Sequence, residues 1–473
     1  MTNPPAQCEN PVRDVPSQML LQRMDKPGPR YTSYPTADRF SEAFDANDLL
    51  HALARRRHVD ENGSATPLSI YVHVPFCESV CYYCACNKVI TKHHERAAPY
   101  LDALALEIDR IVEAIGAQRS VAQLHLGGGS PTFLSDAEIS SLMRKLRRAF
   151  FLLPDAEVSI EVDPRTVTAD RLAHLRAEGF NRISFGVQDF DPDVQQAVHR
   201  VQPFESVRDL MREARALGFS SINADLIYGL PRQTPASFAR TLAQVSELRP
   251  DRIALYAYAH LPERFKPQRR IDATELPPAA DRVQMLAAAM DVFQGRGYTY
   301  IGMDHFALPD DPLAIAKREG RLHRNFQGYS THADCDLIGL GISAIGSVCG
   351  SYYQNDKTLP AYYAALEAGR LPVARGLAMS TDDVIRRDII MALMCHGRVD
   401  FSEMARHHGV RMREAFADEI ARLEPMAADG LVVVEDDAIQ VTPSGWYVVR
   451  AIALVFDRYL SGSAARERFS RMV

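Results

Sequence analysis

The stretch CESVCYYCACNKVI, residues 77–90, places four cysteines within ten positions, separated by three, two and one intervening residues. It follows directly on SIYVHVPF (69–76), whose β-branched and aromatic residues predict a short strand. The same unit then recurs down the chain as an apolar β-rich run, a turn and an amphipathic helical stretch. Further strands are predicted at VAQLHLGGG (121–129), VSIEVDP (158–164), RISFGVQDF (182–190), INADLIYGL (222–230), RIALYAYAH (252–260) and YTYIGMDHF (298–306). Helix-period segments such as YLDALALEIDRIVEAIG and SVRDLMREARALG lie between them. Strand and helix alternating in this way predict a parallel sheet with crossover helices, as an α/β barrel or a doubly wound sheet.

The polar residues of this block stand at the strand ends: GGGSPT, EVDP, QDF, DLIYGLP and YAH each close an apolar run. Ligands of parallel barrels collect at the carboxyl ends of strands, where the βα loops gather. The cysteine run, following the first strand, belongs to that face.

The whole chain sets the limits. Its 473 residues exceed what one hydrophobic core holds, so two or three domains are expected. It is 47% hydrophobic and 24% charged, ordinary for a soluble protein, and its formal charge of -6 gives no overall cationic field for nucleic acid or anionic lipid. No apolar run reaches the roughly 18–20 residues of a membrane span. Residues 1–25 lack the apolar core of a signal peptide and are read as a flexible lead-in. A cytoplasmic location is expected, with the cysteines reduced. Cys8, Cys335, Cys349 and Cys395 are scattered and read as passive thiols. Residues 379–473 suggest helices, a hairpin and a last helix, a mainly helical, winged-helix-like outline. Its would-be recognition segment, MREAFADEIARLEPMAADG (412–430), holds five acidic residues, which excludes phosphate binding and leaves a structural or lid role.

Three readings compete for the cysteines. Structural zinc usually takes two separated ligand pairs, and no second CxxC or HxxxH follows. A disulfide pair suits an oxidising compartment, which nothing supports. Closely spaced thiolates from one loop fit an iron–sulfur cluster. Cys77, Cys81 and Cys84, in CxxxCxxC, can hold three irons of a 4Fe-4S cube and leave the fourth open to a reactant. That spacing after a first barrel strand is the signature of the radical S-adenosylmethionine (SAM) enzymes. Cys86 is too close to Cys84 to reach the fourth iron and is read as a non-ligand lining the pocket, with a part in redox or proton transfer.

At PGPRYTSYPTA (27–37), YVHVPFCESVCYYCACNK (71–88), LHLGGGSPTFL, SIEVDPR, FNRISFGVQDF, DLIYGLPRQT, YAHLP, GMDHFA and HRNFQGYST the chain resembles the oxygen-independent coproporphyrinogen III oxidases of haem biosynthesis. The resemblance runs from about residue 26 to the C-terminus. It implies a partial (β/α)6 radical SAM barrel with an N-terminal arm, one 4Fe-4S cluster and two SAM molecules per chain. The implied division is an arm at 26–66 closing the barrel mouth, the barrel at 67–310, a substrate- and SAM-covering linker at 311–378, and the C-terminal domain at 379–473.

By motif position, Tyr71, Gly128, Glu161 and Ile345 resemble contacts of the cluster-bound SAM. Gly129, Ser130, Gln188, Arg200, Asp225 and Ala259 resemble contacts of the second, and Tyr83 would pack by an adenine. Ser130 stands where the family more often has Thr, and Leu126 where it often has Trp. The implied activity converts two propionates of coproporphyrinogen III to vinyl groups, giving protoporphyrinogen IX. The C–H beside the ring is not acidic, so a 5′-deoxyadenosyl radical suits the task where a general base does not. A low-potential electron donor and an electron acceptor of unknown identity are needed as partners. No nucleic-acid or membrane partner is expected, and the family implies a monomer.

The substrate's four carboxylates call for cations, and Arg30, Arg318, Arg321 and Arg324 are candidates. Tyr31 and Tyr34 either close the barrel mouth or anchor the arm. Of the histidines, His305, ending a strand, is the candidate for a direct catalytic role beside Cys86. The alternatives on the same scaffold are a haem-binding chaperone, whose relatives usually lack the PRYTSYPT arm, and a haem-degrading radical methyltransferase. From another class, a zinc-stabilised DNA-binding regulator would need a basic recognition helix, which is absent.

Overall fold

The computed structural model describes residues 18–24, 26–62, 66–332, 335–460 and 469. Twelve strands form its main sheet. In chain order these are β1 (Leu68–Val74), β2 (Ser120–Gly128), β3 (Phe151–Val162), β4 (Arg182–Gln188), β5 (Ser221–Tyr228) and β6 (Arg252–Ala257). They continue as β7 (Thr299–Gly302), β8 (His305–Ala307), β9 (Asp336–Leu340), β10 (Ile345–Val348), β11 (Ser351–Asn355) and β12 (Val373–Ala378). The spatial order is β12-β11-β10-β9-β1-β2-β3-β4-β5-β6-β8-β7. From β9 through β1 to β6 every pairing is parallel, and both flanks are antiparallel.

The sheet is curved into a partial barrel. Arg252 on β6 and Glu157 on β3 are three strands apart, a spacing of about 14 Å in a flat sheet, yet their side chains approach to 3.7 Å. Alternation along each strand sorts the residues. On β4, Ile183, Phe185 and Val187 are buried against the outer helices, while Arg182, Ser184, Gly186 and Gln188 line the inner cavity. On β1 the buried series Leu68, Ile70, Val72, Val74 likewise alternates with Ser69, Tyr71 and His73. Leu126 is fully buried and does not line the cavity, so the departure from Trp there leaves the inner wall untouched.

The crossover helices start where local chemistry starts them. Ser135 and Thr234 each form a reciprocal capping box at the head of Asp136–Ala149 and Pro235–Leu248, and Thr168 caps Ala169–Ala177. Their apolar faces cover the outside of the sheet in one continuous core.

Three features differ from the sequence reading. The expected strand at 298–306 is a tight antiparallel hairpin, β7 and β8, turning at Gly302 (φ 155) and Met303 (φ 50). The seventh parallel strand is β9, which with β10 to β12 brings much of 311–378 into the main sheet. Its sequence, DLIGL, is too short and glycine-bearing to show a period. Within residues 1–25, where a flexible lead-in is expected, Gln18–Met24 is helical, packs Leu20 and Met24 on the core and pairs Arg23 with Asp429. Residues 1–17, including Cys8, and residue 25 lie outside the described residues.

The C-terminal module has a three-stranded sheet in the order 398–400, 438–441, 432–434, behind the helix Thr381–His396. Its acidic segment breaks into Met412–Ala415, Ala417–Ala421 and Glu424–Ala428, so no continuous recognition helix forms. The arm is tied to this module. Tyr31 donates to Asp457 at 3.1 Å, Arg458 N donates to Tyr34 Oη at 3.3 Å, and Arg450 donates to the carbonyls of Pro29 (3.0 Å) and Gly28. The two tyrosines thus anchor the arm and are fully buried. Among the described residues no helix is long and apolar enough to cross a membrane.

Candidate active site

The cavity, about 380 Å³, opens among the carboxyl ends of the strands, where the cysteine loop lies. Cys77 closes a two-residue strand that pairs with Val89–Ile90, and Thr91 N donates to the Cys77 carbonyl at 2.9 Å. Between these ends the loop is held at each turn. Cys84 N bonds Cys81 O at 3.2 Å, Tyr82 N bonds Val198 O at 3.0 Å, and Lys88 Nζ bonds Cys84 O at 3.0 Å. Cys77, Cys81, Cys84 and Cys86 all line the cavity, with Tyr83 and Lys88.

Among the described residues no three His, Cys, Asp or Glu side chains converge on one ion-sized point. Cys77, Cys81 and Cys84 all face one cavity of about 380 Å³, on which three thiolates from a single loop can hold an iron–sulfur cube. Two cations stand behind them. Arg200 and Arg165 donate to Cys81 Sγ at 3.4 and 3.5 Å and share Asp163, at 3.1 and 2.6 Å. Burial pushes the Cys77 thiol up to about 12, whereas a hydrogen bond from Cys86 chiefly holds Cys84 down at about 6.

The glycines supply close approach. A Cβ on Gly128 (φ 113) would stand 2.6 Å from the His73 ring, and one on Gly129 2.7 Å from the Pro75 backbone. One on Gly186 would meet Arg200 Nη2 at 2.7 Å. Beside them, Glu161 accepts from Gly128 N at 3.2 Å and from His125 Nε2 at 3.3 Å. Burial alone would raise its pKa, and His125 with Gly128 more than offsets this. Asp225 accepts from Ser184 at 2.9 Å and Asn223 at 2.8 Å, and burial with the nearby Glu161 pushes it up to about 6. These carboxylates and a guanidinium, facing one polar cavity beside glycines that leave room for close approach, fit a zwitterionic nucleoside such as SAM.

Most of the sequence-predicted residues meet here. Tyr83, Gly128, Gly129, Ser130, Glu161, Gln188, Arg200, Asp225 and His305 all line the cavity with the cysteines. Tyr71, Ala259 and Ile345 are not on its wall. Tyr71 sits behind it, stacked on His125 (5.8 Å) and bonded to His73 Nδ1 at 3.0 Å.

The four arginines divide. Arg318 and Arg321 are exposed at the end of the helix Pro312–Arg318, where cations suit the helix C-terminus, and Arg321 pairs with Glu319. None of the four lines the cavity itself, but the other two lie close behind its wall. Arg30 pairs with Asp304 and lies 5.3 Å over Tyr256, and the buried Arg324 lies 4.6 Å over Tyr329. Both rings line the cavity. His305 packs edge-on against the same two rings, 3.2 Å from Asp304, and burial lowers its imidazole pKa while Asp304 opposes the shift.

Sequence reading did not single out His125, Asp163, Arg165 or Arg450. The first three stand inside motifs already noticed, and strand alternation marks His125 as inward-facing. Arg450 comes from a C-terminal helix, and no local signal gives it away.

The comparisons with known proteins agree with this geometry. Residues 71–245 match the Radical SAM superfamily and 379–448 the HemN C-terminal domain. The chain is 49% identical to the oxygen-independent coproporphyrinogen III oxidase of Pseudomonas aeruginosa, covering 96% of this chain and 98% of that one. It is 42% identical to the Synechocystis protein of the same name, covering 97% and 98%. The crystal structure of coproporphyrinogen III oxidase (HemN) from Escherichia coli superposes with a TM-score of 0.90 at 47% identity, covering 96% of this chain and all of that one. The chain belongs to the oxygen-independent coproporphyrinogen III oxidases of the radical SAM superfamily.

Proposed function

We propose that the chain converts two propionate side chains of coproporphyrinogen III to vinyl groups without oxygen, giving protoporphyrinogen IX. The observation that carries this reading is the placement of Cys77, Cys81 and Cys84 on the cavity wall that also holds Gly128, Glu161, Arg200 and Asp225.

The three thiols would hold the 4Fe-4S cluster, with Cys86 beside them and not a ligand. When bound, the cluster and SAM supply a 5′-deoxyadenosyl radical able to remove a hydrogen from an unactivated C–H. The chain's own contribution is binding, orientation and charge. Glu161, held in place by Gly128 N and His125, presents a carboxylate matched to the amino group of one SAM. Gly129, Ser130, Gln188, Arg200 and Asp225 form the wall assigned to a second, and Asp225, pushed up to about 6 by burial and the nearby Glu161, takes a proton more readily than an ordinary carboxylate. Arg200, spanning Cys81, Asp163 and the Gly186 carbonyl, keeps a fixed positive charge where anionic groups gather.

Arg30 and Arg324 bring guanidinium groups up behind Tyr256 and Tyr329 for the propionates, and buried Arg450 adds a third charge nearby. His305, wedged between the two rings, serves as a polar contact to the tetrapyrrole. Each decarboxylation leaves one electron to an external acceptor. The chain is read as a cytoplasmic monomer that draws electrons from a low-potential donor.

Anaerobic turnover tests the reading. Cluster-loaded chain is given SAM, dithionite and coproporphyrinogen III, with cell extract as acceptor, and mass spectrometry follows the tetrapyrrole and 5′-deoxyadenosine. Loss of two carbon dioxides with matching deoxyadenosine is expected. SAM cleavage over an unchanged tetrapyrrole would overturn it.

A further inference from the structure

One surface loop is built directly against the cysteine run and carries charge away from the cavity. In the segment 259–278, Gln268 is buried, its Oε1 accepting from Leu261 N at 2.6 Å and its Nε2 donating to the Tyr83 carbonyl at 3.0 Å. The Arg270 guanidinium lies 5.3 Å over the Tyr82 ring, which stacks on His199 at 5.1 Å. The loop therefore grips Tyr82 and Tyr83, the two residues between Cys81 and Cys84.

Its outer face is basic. Arg264, Lys266, Arg269 and Arg270 are all exposed and none lines the cavity; of the segment's three acids, Asp272 caps the turn Ala273–Glu275 and Glu275 pairs with Arg232, which leaves Glu263. The opposite rim continues the charge. Asn87 Nδ2 donates to the Lys357 carbonyl at 3.0 Å, and Lys357 is near enough to Arg375 and Arg264 that, after burial, their charges depress its ammonium further. Five cations, Arg264, Lys266, Arg269, Arg270 and Lys357, thus stand on this side of a chain whose formal charge is -6.

We propose that this collar docks an acidic one-electron carrier protein, of flavin or iron–sulfur type, and aims it at the cluster site. The step needs no covalent change: the carrier loses one electron and the cluster gains it. A collar outside the cavity suits a macromolecule that stays outside. Electrostatic docking of this kind gives fast, salt-sensitive encounter over a small interface. The inference rests on the cluster assignment made above.

The test uses full-length chain, with an acidic flavodoxin and an acidic two-iron ferredoxin as probes. Calorimetry reads binding, and anaerobic stopped-flow absorbance reads cluster reduction. At least one probe is expected to bind at low salt and to weaken about tenfold or more at ~0.3 M salt. K266E/R269E is expected to lower both affinity and carrier-driven reduction about tenfold, and K266Q/R269Q less. Reduction by dithionite, which needs no docking, stays unchanged in both. R406E, exposed on the helix Phe401–His408, serves as a charge control and is expected to behave as the unaltered chain.

The proposal is overturned if neither probe binds, or if K266E/R269E binds and is reduced like the unaltered chain. It is also overturned if K266E/R269E chiefly raises KM for the tetrapyrrole under dithionite, which would make the collar a substrate-steering surface. A chain that holds no cluster would defeat the proposed function instead, and calorimetry on that chain would still read the collar.

Discussion

His125 Nε2 lies 3.3 Å from Glu161 Oε1, and its Nδ1 lies 2.7 Å from Ser159 Oγ. With the Ser159 hydroxyl donating to Nδ1, the ring proton sits on Nε2 and is donated to the carboxylate. Glu161 is thereby aimed by two donors, His125 and Gly128 N. A hydrogen bond to a charged group contributes about 1.5–3 kcal/mol, so H125A is expected to weaken SAM binding about 10- to 100-fold. Equilibrium dialysis of SAM against the cluster-loaded chain checks this. Unchanged affinity would leave His125 as packing for Tyr71.

Glu107 is a buried acid with no cationic partner among the described residues. It accepts from Tyr362 at 2.6 Å, Asn355 at 2.6 Å and Gly341 N at 2.8 Å, and burial outweighs these bonds and pushes it up to about 7. Unfolded, it titrates near 4.3. Between those values the folded chain holds a proton that the unfolded chain has released, so stability falls as pH rises from about 4.5 to 7, by about 3 kcal/mol. E107Q is expected to remove that slope. Asp189 and Asp225, both pushed up to about 6, add parallel slopes. The readout is therefore the difference in unfolding temperature between E107Q and the unaltered apo chain at pH 5 and 7.5.

The ion pair of Arg30 and Asp304 acts in the opposite direction. Burial would raise the Asp304 carboxyl, but Arg30 and His305 outweigh it and hold it well below the usual range. A depressed acid contributes stability above its unfolded pKa near 3.9 that is lost as pH falls below it. D304N leaves the half-buried Arg30 without its partner, at about 1–3 kcal/mol. Its unfolding temperature is expected to fall well below that of the unaltered chain at pH 7, with the gap closing below about pH 4. A constant gap would show that Asp304 matters by packing alone.

How far the sequence carries this picture depends on range. β1 to β6 each announce themselves through a local period, and the cysteine spacing names its chemistry before any fold is known. β9 is invisible because its pairing with β1 joins residues more than 260 positions apart. The hairpin β7–β8 reads as one strand because its turn is only two residues long. Arg318, Arg321 and Arg324 look alike in KREGRLHRNF; only the helix ending at Arg318 and the burial of position 324 separate them.

Cys86 and Cys84 offer a direct contrast. Both line the cavity and their thiols are hydrogen-bonded to each other, but only Cys84 stands in the three-ligand spacing. C86S is expected to keep full iron and sulfide content with slowed deoxyadenosine formation. C84S is expected to lose nearly all bound iron. Iron analysis and visible absorption of the anaerobically loaded proteins decide it, and iron loss in C86S would make Cys86 a ligand.

Arg324 and Arg321 differ by three positions and by everything that matters for binding an anion. Arg321 is exposed and satisfied by Glu319, so R321A is expected to leave the kinetics unchanged, since exposed pairs contribute little. Arg324 is 3% exposed, lies over Tyr329, donates to the Arg30 backbone carbonyl at 3.4 Å and forms no ion pair among the described residues, its Nη1 being left without a hydrogen-bond partner. Its guanidinium therefore keeps a positive charge that a propionate can neutralise. R324K keeps the charge and loses the planar fork. It is expected to raise KM for coproporphyrinogen III about tenfold, with SAM affinity and unfolding temperature close to the unaltered chain. A fall in SAM affinity of the same size would instead make Arg324 a strut of the cavity wall.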